Sequence, residues 1–182
     1  MAKPTTIDVA LKNWEDRNKQ EAISAADIQL QFQYPPIEKM DNQLSSLVEC
    51  QKLSLSSNMI EKISGISGMK NLRVLSLSRN YLKTLNGIES LAENLEELWV
   101  SYNNIEKLKP LEAMKVLRVF YCSHNAVKGW EEFNRIAVPP VLTEITFNNN
   151  PLNENMDPSV FLAEAMRRLP KLTKLDGEPI IR

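Results

Sequence analysis

The sequence predicts an α/β solenoid, a right-handed coil whose short strands stack into one concave parallel sheet and whose short helical or 3₁₀ segments return along the outside. Three observations predict it. First, one apolar frame around an asparagine recurs as Leu53-x-Leu55-x-x-Asn58-x-Ile60, Leu75-x-Leu77-x-x-Asn80-x-Leu82, Leu98-x-Val100-x-x-Asn103-x-Ile105, Phe120-x-Cys122-x-x-Asn125-x-Val127 and Ile145-x-Phe147-x-x-Asn150-x-Leu152. Second, successive asparagines lie 22, 23, 22 and 25 residues apart, one turn of a repeating coil. Third, the apolar period changes within each copy. It is two before the asparagine, which marks a strand. It is three after it, as in Ile60, Ile63, Ile66, Met69 and Leu72, which suits a tight 3₁₀-like return.

Repeats of this length and pattern are leucine-rich repeats. No coil buries its apolar face alone, so the stack is the folding unit. Ahead of the first frame, Thr5-x-x-Asp8 reads as a capping box, and Ile7, Ala10, Leu11 and Trp14 fall on one face of the helix it opens. Ile28-x-Leu30-x-Phe32 reads as an atypical first strand, and the prolines of Tyr34-Pro35-Pro36-Ile37 stop regular pairing. Beyond the fifth frame, Asp157-Pro158 starts a helix with proline at its first position. Its apolar face is Phe161, Leu162, Ala165, Met166 and Leu169. The run Leu169-Pro170-Lys171-Leu172-x-x-Leu175-Asp176-Gly177 then closes the last coil. No linker or low-complexity stretch interrupts the chain. One domain over 1–182 is expected, with a helical cap over 1–27, repeats over 28–152 and a second cap over 153–182.

The asparagines Asn58, Asn80, Asn103, Asn125 and Asn150 read as structural. Each amide offers donors and an acceptor to backbone groups where the chain leaves the strand. Burying it without partners would cost ~1–3 kcal/mol. Length and composition agree with a packed repeat: 182 residues with 43% hydrophobic content supply a continuous core. With 22 basic and 23 acidic residues the net charge is −1, so no global field attracts nucleic acid or an anionic membrane. The apolar runs are too short to span a bilayer, and Met1-Ala2-Lys3-Pro4-Thr5 starts no signal-peptide pattern. A cytoplasmic protein is the simplest expectation. Cys50 and Cys122 fill apolar slots three coils apart, ~14 Å at the strand spacing of a sheet, too far for a disulfide. His124, the sole histidine, stands in a loop without a Cys-x-x-Cys partner, so no metal site is expected.

Alternation also names the side chains that leave the core. The middle column of the concave face is Ser54, Ser76, Trp99, Tyr121 and Thr146. The column before it is Lys52, Val74, Glu97, Val119 and Glu144, and the one after it Ser56, Ser78, Ser101, Ser123 and Asn148. Trp99 and Tyr121 sit at equivalent positions of adjacent strands, so their rings should lie side by side, with Val74, Val119 and Tyr102 near. An aromatic cluster ringed by serines and charges has the anatomy of an interface anchor. The expected partner-binding set is Val74, Ser76, Trp99, Ser101, Tyr102, Val119, Tyr121, Ser123, Thr146 and Asn148. Trp14 is expected on the buried face of the first helix, and Trp130 in the core.

Catalysis finds no support in the sequence. It holds no phosphate-binding glycine loop, dinucleotide fingerprint or nucleophile elbow. A serine column without a nearby base is not a set of nucleophiles. No enzyme activity and no cofactor are expected.

Beyond the repeat positions, Met1-Ala2-Lys3-x-Thr5-Thr6-Ile7-x-x-Ala10-Leu11 and Pro35-Pro36-Ile37-Glu38-Lys39-Met40-Asp41 stand out, together with Leu95-Glu96-Glu97-Leu98-Trp99-Val100-Ser101-Tyr102-Asn103. These stretches, with Asn150-Pro151-Leu152 and the closing Arg168-to-Gly177 run, resemble the leucine-rich-repeat family of axonemal dynein light chains. That family serves the outer arm of ciliary and flagellar dynein. The resemblance implies a non-catalytic light chain whose partner is an outer-arm dynein heavy chain, docked at the microtubule-binding region of the motor's stalk and tuning track engagement. It places the family's apolar sheet face on Trp99, Tyr102 and their neighbours, and leaves tubulin as a further contact. It implies location in the axoneme and a monomer when isolated. Relatives often run past Asp176-Gly177 into a charged tail. This sequence ends at Ile180-Ile181-Arg182, so no tail contact with tubulin or the motor is carried over. Two other classes use the same scaffold: a phosphatase-regulatory repeat protein, and a spliceosomal adaptor, against which stands the absence of a basic nuclear-signal cluster.

Overall fold

The computed structural model describes residues 3–181. Met1, Ala2 and Arg182 lie outside the described residues, the first two with the opening of the stretch that carries the resemblance. Each frame centres one apolar side chain in a three-residue strand. Leu53, Leu75, Leu98, Phe120 and Ile145 are the fully buried middle residues of β2 (Lys52–Ser54), β3 (Val74–Ser76), β4 (Glu97–Trp99), β5 (Val119–Tyr121) and β6 (Glu144–Thr146). With β1 (Asp27–Gln29) ahead and β7 (Lys174–Leu175) and β8 (Glu178–Pro179) behind, they form one eight-stranded sheet in chain order among the described residues. Pairing is parallel from β1 to β7 and antiparallel only between β7 and β8.

The strands are short, yet coil-to-coil hydrogen bonding runs on beyond them. Leu55 N–H donates to Ser76 O at 2.9 Å, Leu77 to Trp99 at 2.8 Å, Val100 to Tyr121 at 2.8 Å and Cys122 to Thr146 at 2.9 Å. The first strand stops earlier than the alternation predicts. Leu30 is buried, but Phe32 has φ +59° and is 81% exposed, because the chain already turns left-handed there. The return segments are 3₁₀ turns at Asn42–Ser46, Ile88–Leu91 and Lys109–Ala113, and α2 (Trp130–Asn134) running into a turn at Arg135–Ala137. Ile88 and Leu111 from these turns, and Ile63, Ile66, Met69, Leu85 and Leu108 from the loops that connect them to the strands, join the strands in one continuous core.

Both ends are covered. α1 (Ile7–Asn18) buries Ile7, Ala10, Leu11 and Trp14. Its cap is Thr6, whose side chain accepts Val9 N–H at 3.3 Å, and not Thr5. Thr5 pairs instead with Ile37 in a β-bridge and donates its hydroxyl to Pro35 O at 2.5 Å. α3 (Pro158–Arg168) starts at Asp157, which accepts Ser159 N–H at 2.8 Å. Phe161, Ala165 and Leu169 are buried there, whereas Leu162 is 40% exposed and Met166 half-buried: Phe161 and Ala165, one turn apart, define the inward stripe. Phe161 stacks at 5.8 Å on Phe147 and meets Phe133 edge-on at 5.6 Å. Trp130 is half-buried, stacked on Phe161 at 6.0 Å with the Arg168 guanidinium 4.3 Å over its ring. Among the described residues no helix is long and apolar enough to cross a membrane.

Candidate protein interface on the concave sheet

The asparagines set the register on which the concave face depends. Asn103 Nδ2 donates to Val100 O in its own coil at 3.0 Å and to Leu77 O in the preceding coil at 2.9 Å, while its Oδ1 accepts Leu82 N–H at 2.9 Å. Asn58, Asn80, Asn125 and Asn150 repeat this pattern, with Oδ1 on Ile37, Ile60, Ile105 and Val127 N–H at 2.9–3.1 Å. All five are buried. A strand that slipped by one residue would turn its side chains to the other face, so the ladder determines which residues look outward.

In that register Trp99 lies beside Tyr121, which lies beside Thr146. The two rings stack at 5.8 Å between centroids with 24° between planes. Both are half-buried, leaving part of each ring open to solvent. Four groups hold them. Trp99 Nε1–H donates to Glu97 at 3.2 Å, and the Lys52 ammonium sits 5.7 Å over the indole. The Tyr121 hydroxyl donates to Glu144 at 2.5 Å, and Lys174 donates to the same carboxylate oxygen at 3.1 Å. Burial first, then the Glu144 carboxylate, pushes the Tyr121 phenol up to about 12. Glu144 is held below the usual carboxylate range, mostly by the Tyr121 hydroxyl and then by Lys174.

The predicted surface is more covered than alternation alone suggests. Val119 is 8% exposed, although it faces out: its register neighbours are Glu97 and Glu144, whose side chains turn inward to hold the two aromatics. Ser76, in register with Trp99, is buried beside the indole and shares a 2.6 Å hydrogen bond with Ser56. Ser123 is buried too, donating to Ser101 at 3.0 Å. Val74, Ser101 and Thr146 are half-buried and Asn148 is exposed. Thr146 Oγ1 is enclosed without a hydrogen-bond partner among the described residues.

Tyr102 is 42% exposed and does not join Trp99. It stacks on His124 at 4.0 Å, under the Arg79 guanidinium at 4.2 Å. These three residues belong to a column missed by sequence reasoning. The residue just before each ladder asparagine is left-handed: Ser57, Arg79, Tyr102, His124 and Asn149 have φ between +53° and +57° or, for Tyr102, +60°. Phe32 holds the same place in the first coil. The available signal was position alone, one residue ahead of every asparagine.

Cys50 and Cys122 are buried free thiols, the former pushed up to about 12 mainly by burial. Among the described residues no group of three or more His, Cys, Asp or Glu side chains is placed to hold a metal. Met40, Met59 and Tyr81 line a hollow of about 680 Å³ on the flank of the coils, but none of its lining residues belongs to the concave columns.

The stacked parallel strands and the asparagine ladder define a leucine-rich-repeat protein. Residues 48–90 match the family model described as leucine-rich repeats in two copies. Among solved structures the chain is similar to one in the Drosophila melanogaster SNF/U2A' complex, at TM-score 0.63 and 21% identity, over 71% of this chain and 74% of that one. It is also similar to an internalin C2 from Listeria monocytogenes, at TM-score 0.61 and 21% identity, over 77% and 58%. At that identity the likeness concerns the fold. Among relatives by sequence, dynein axonemal light chain 1 of Danio rerio is 57% identical over 100% of this chain and 95% of its own length. The Homo sapiens protein of that name is 57% identical over 100% and 96%, and the Chlamydomonas reinhardtii one 52% over 99% and 93%. The chain belongs to the dynein axonemal light chain 1 family.

Proposed function

We propose that this chain is a non-catalytic light chain of ciliary or flagellar outer-arm dynein, working in the axoneme. It binds the heavy chain at its microtubule-binding stalk region through the concave sheet and modulates the motor's engagement with its track. The observation that carries the binding site is the Trp99–Tyr121 pair, stacked and partly open to solvent on an otherwise small and polar sheet face. Aromatic side chains held rigid in this way lose little entropy on binding and serve as anchors. Val74, Ser101, Tyr102, Thr146 and Asn148 surround them as polar and apolar rim, with Ser76, Val119 and Ser123 as the packed floor. The names of the relatives at 52–58% identity support the dynein role. We read the chain as one domain, monomeric in isolation, with tubulin as a further contact.

The test is the double variant Trp99→Ala with Tyr121→Ala. Its thermal transition should stay close to that of the parent while co-purification with an outer-arm heavy-chain segment spanning the stalk tip is lost. Retained binding by the folded variant would refute the site. The phosphatase-regulatory and spliceosomal readings predict instead capture of a phosphatase or an RNA-recognition protein. Neither has a specific observation in its favour, since the likeness to the SNF/U2A' complex at 21% identity concerns the fold.

A further inference from the structure

We propose that the exit edge of the sheet, beside the aromatic pair, carries a receptor for an acidic side chain of the bound polypeptide, built from Arg79 on the Tyr102–His124 stack. This rests on the reading that the concave face is the interface, and specifies the chemistry of the partner there. Three observations converge.

The first is placement. Arg79, Tyr102 and His124 have φ of +56°, +60° and +53°. Phe32, Ser57 and Asn149 share this left-handed conformation in other coils, so it belongs to the repeat and sets one side chain per coil at the same edge of the sheet. Three successive coils place a guanidinium, a phenol and an imidazole there.

The second is rigidity. Each N–H is committed to the next coil, Arg79 to Ser101 O at 2.9 Å, Tyr102 to Ser123 O at 2.9 Å and His124 to Asn148 O at 3.0 Å. The side chains then stack, guanidinium on phenol at 4.2 Å and phenol on imidazole at 4.0 Å. A guanidinium held over a ring face by its central carbon still has N–H groups to offer a planar acceptor.

The third is the unmet charge. Arg73 and Arg118 share Glu96, Arg167 and Arg168 share Glu164, and Arg135 meets Glu112, Glu131 and Glu132. Arg79 is exposed and has neither an ion pair nor a hydrogen bond from its side chain among the described residues. A carboxylate matches its fork in shape and sign. Tyr102 lies three residues beyond Trp99, ~10 Å along the strand direction. The occupant is therefore a polypeptide element with an apolar group for Trp99 and Tyr121 and an Asp or Glu ~10 Å away, about two turns along a helix.

The experiment measures binding of the heavy-chain stalk-tip segment to the full chain, to Arg79→Gln and to Arg79→Glu, each at low and high salt. Arg79→Gln should weaken binding about tenfold at low salt, and Arg79→Glu further, with the differences shrinking at high salt as screening removes the ion pair. Wild-type affinity and wild-type salt dependence in both variants would overturn the receptor. The Trp99→Ala, Tyr121→Ala variant separates the two levels. If it fails to bind while both Arg79 variants bind normally, the receptor alone falls; if it binds normally, the concave reading falls with it.

Discussion

The phenol of Tyr121 donates a 2.5 Å hydrogen bond to Glu144 on the neighbouring strand, and Lys174 reaches the same oxygen from the strand after that. This three-strand link fixes one ring of the candidate interface before any partner arrives. It also couples the ring's position to the ionisation of two groups.

Alkaline pH should therefore loosen the fold through Tyr121. In the unfolded chain a tyrosine titrates near ~10; in the fold Tyr121 is pushed up to about 12 by burial and by Glu144. Below the unfolded value both states hold the proton and the full contribution is present. Between the two values the unfolded chain loses its proton first, so stability falls as pH rises and is gone above the folded value. Urea unfolding across this window should show a steeper loss for the parent than for Tyr121→Phe. The parent-minus-variant phenolate absorbance should titrate near the upper value; a midpoint at the ordinary one would refute the buried link. Glu144, held low by the Tyr121 hydroxyl and Lys174, acts in the opposite direction. Its contribution is present above the ordinary carboxylate range and is lost as pH falls through its depressed value.

Asn103→Ala should lower the melting temperature sharply. The substitution strands the enclosed Leu82 N–H and takes one of two amide donors from Leu77 O and Val100 O, which keep Asn80 and Asn125. Each enclosed group left without a partner costs ~1–3 kcal/mol, and ~1 kcal/mol moves the transition of a chain this size by about 2–4 °C. A drop of roughly 5–10 °C is expected from these values. Asn104→Ala, at the exposed next position, is the control and should change little. Equal melting temperatures for the two variants would contradict the ladder.

Phe133→Ala should cost about 3–5 kcal/mol, the range for emptying a buried aromatic site. Phe133 is fully buried and meets Trp130, Phe147 and Phe161 edge-on, so its loss removes the centre of the cluster under α3. Chemical denaturation reads this directly. A cost below ~1 kcal/mol would mean that the cluster repacks without loss.

Gly65→Ala and Gly129→Ala should separate. Gly65 has φ +73°, and a Cβ there would stand 2.0 Å from Asp41 O in the preceding coil, so alanine must push two coils apart. Gly129 has nothing within 4 Å of such a Cβ and an ordinary extended φ of −132°. Thermal melts should show Gly65→Ala destabilised by more than ~1 kcal/mol and Gly129→Ala nearly unchanged. The reverse order would contradict the close approach of coils at Asp41.

The repeat was legible because its signal is local and redundant: Leu53, Leu75, Leu98, Phe120 and Ile145 recur at the same step from an asparagine, and every one is a strand centre. The Trp99–Tyr121 adjacency followed from the same frame. What escaped the sequence depends on contacts distant along the chain. Thr5 is drawn from its capping position by Ile37 and Pro35, thirty residues or more away. Val119 is covered because two glutamates of neighbouring strands turn toward the aromatics. The left-handed column carries Phe32, Ser57, Arg79, Tyr102, His124 and Asn149. Only the asparagine and the histidine among them are types enriched in that backbone conformation, and nothing in the sequence set Arg79 over Tyr102.

The antiparallel turn of β8 onto β7 has a consequence for how copies of this chain meet. A solenoid of parallel strands offers its last edge as a template for another chain, and end-to-end growth is the hazard of such an architecture. Here the outermost strand is two residues long and one of them is Pro179, which has no N–H to give. A second molecule arriving at that strand meets a short edge with one donor missing, which disfavours continuation of the sheet through it.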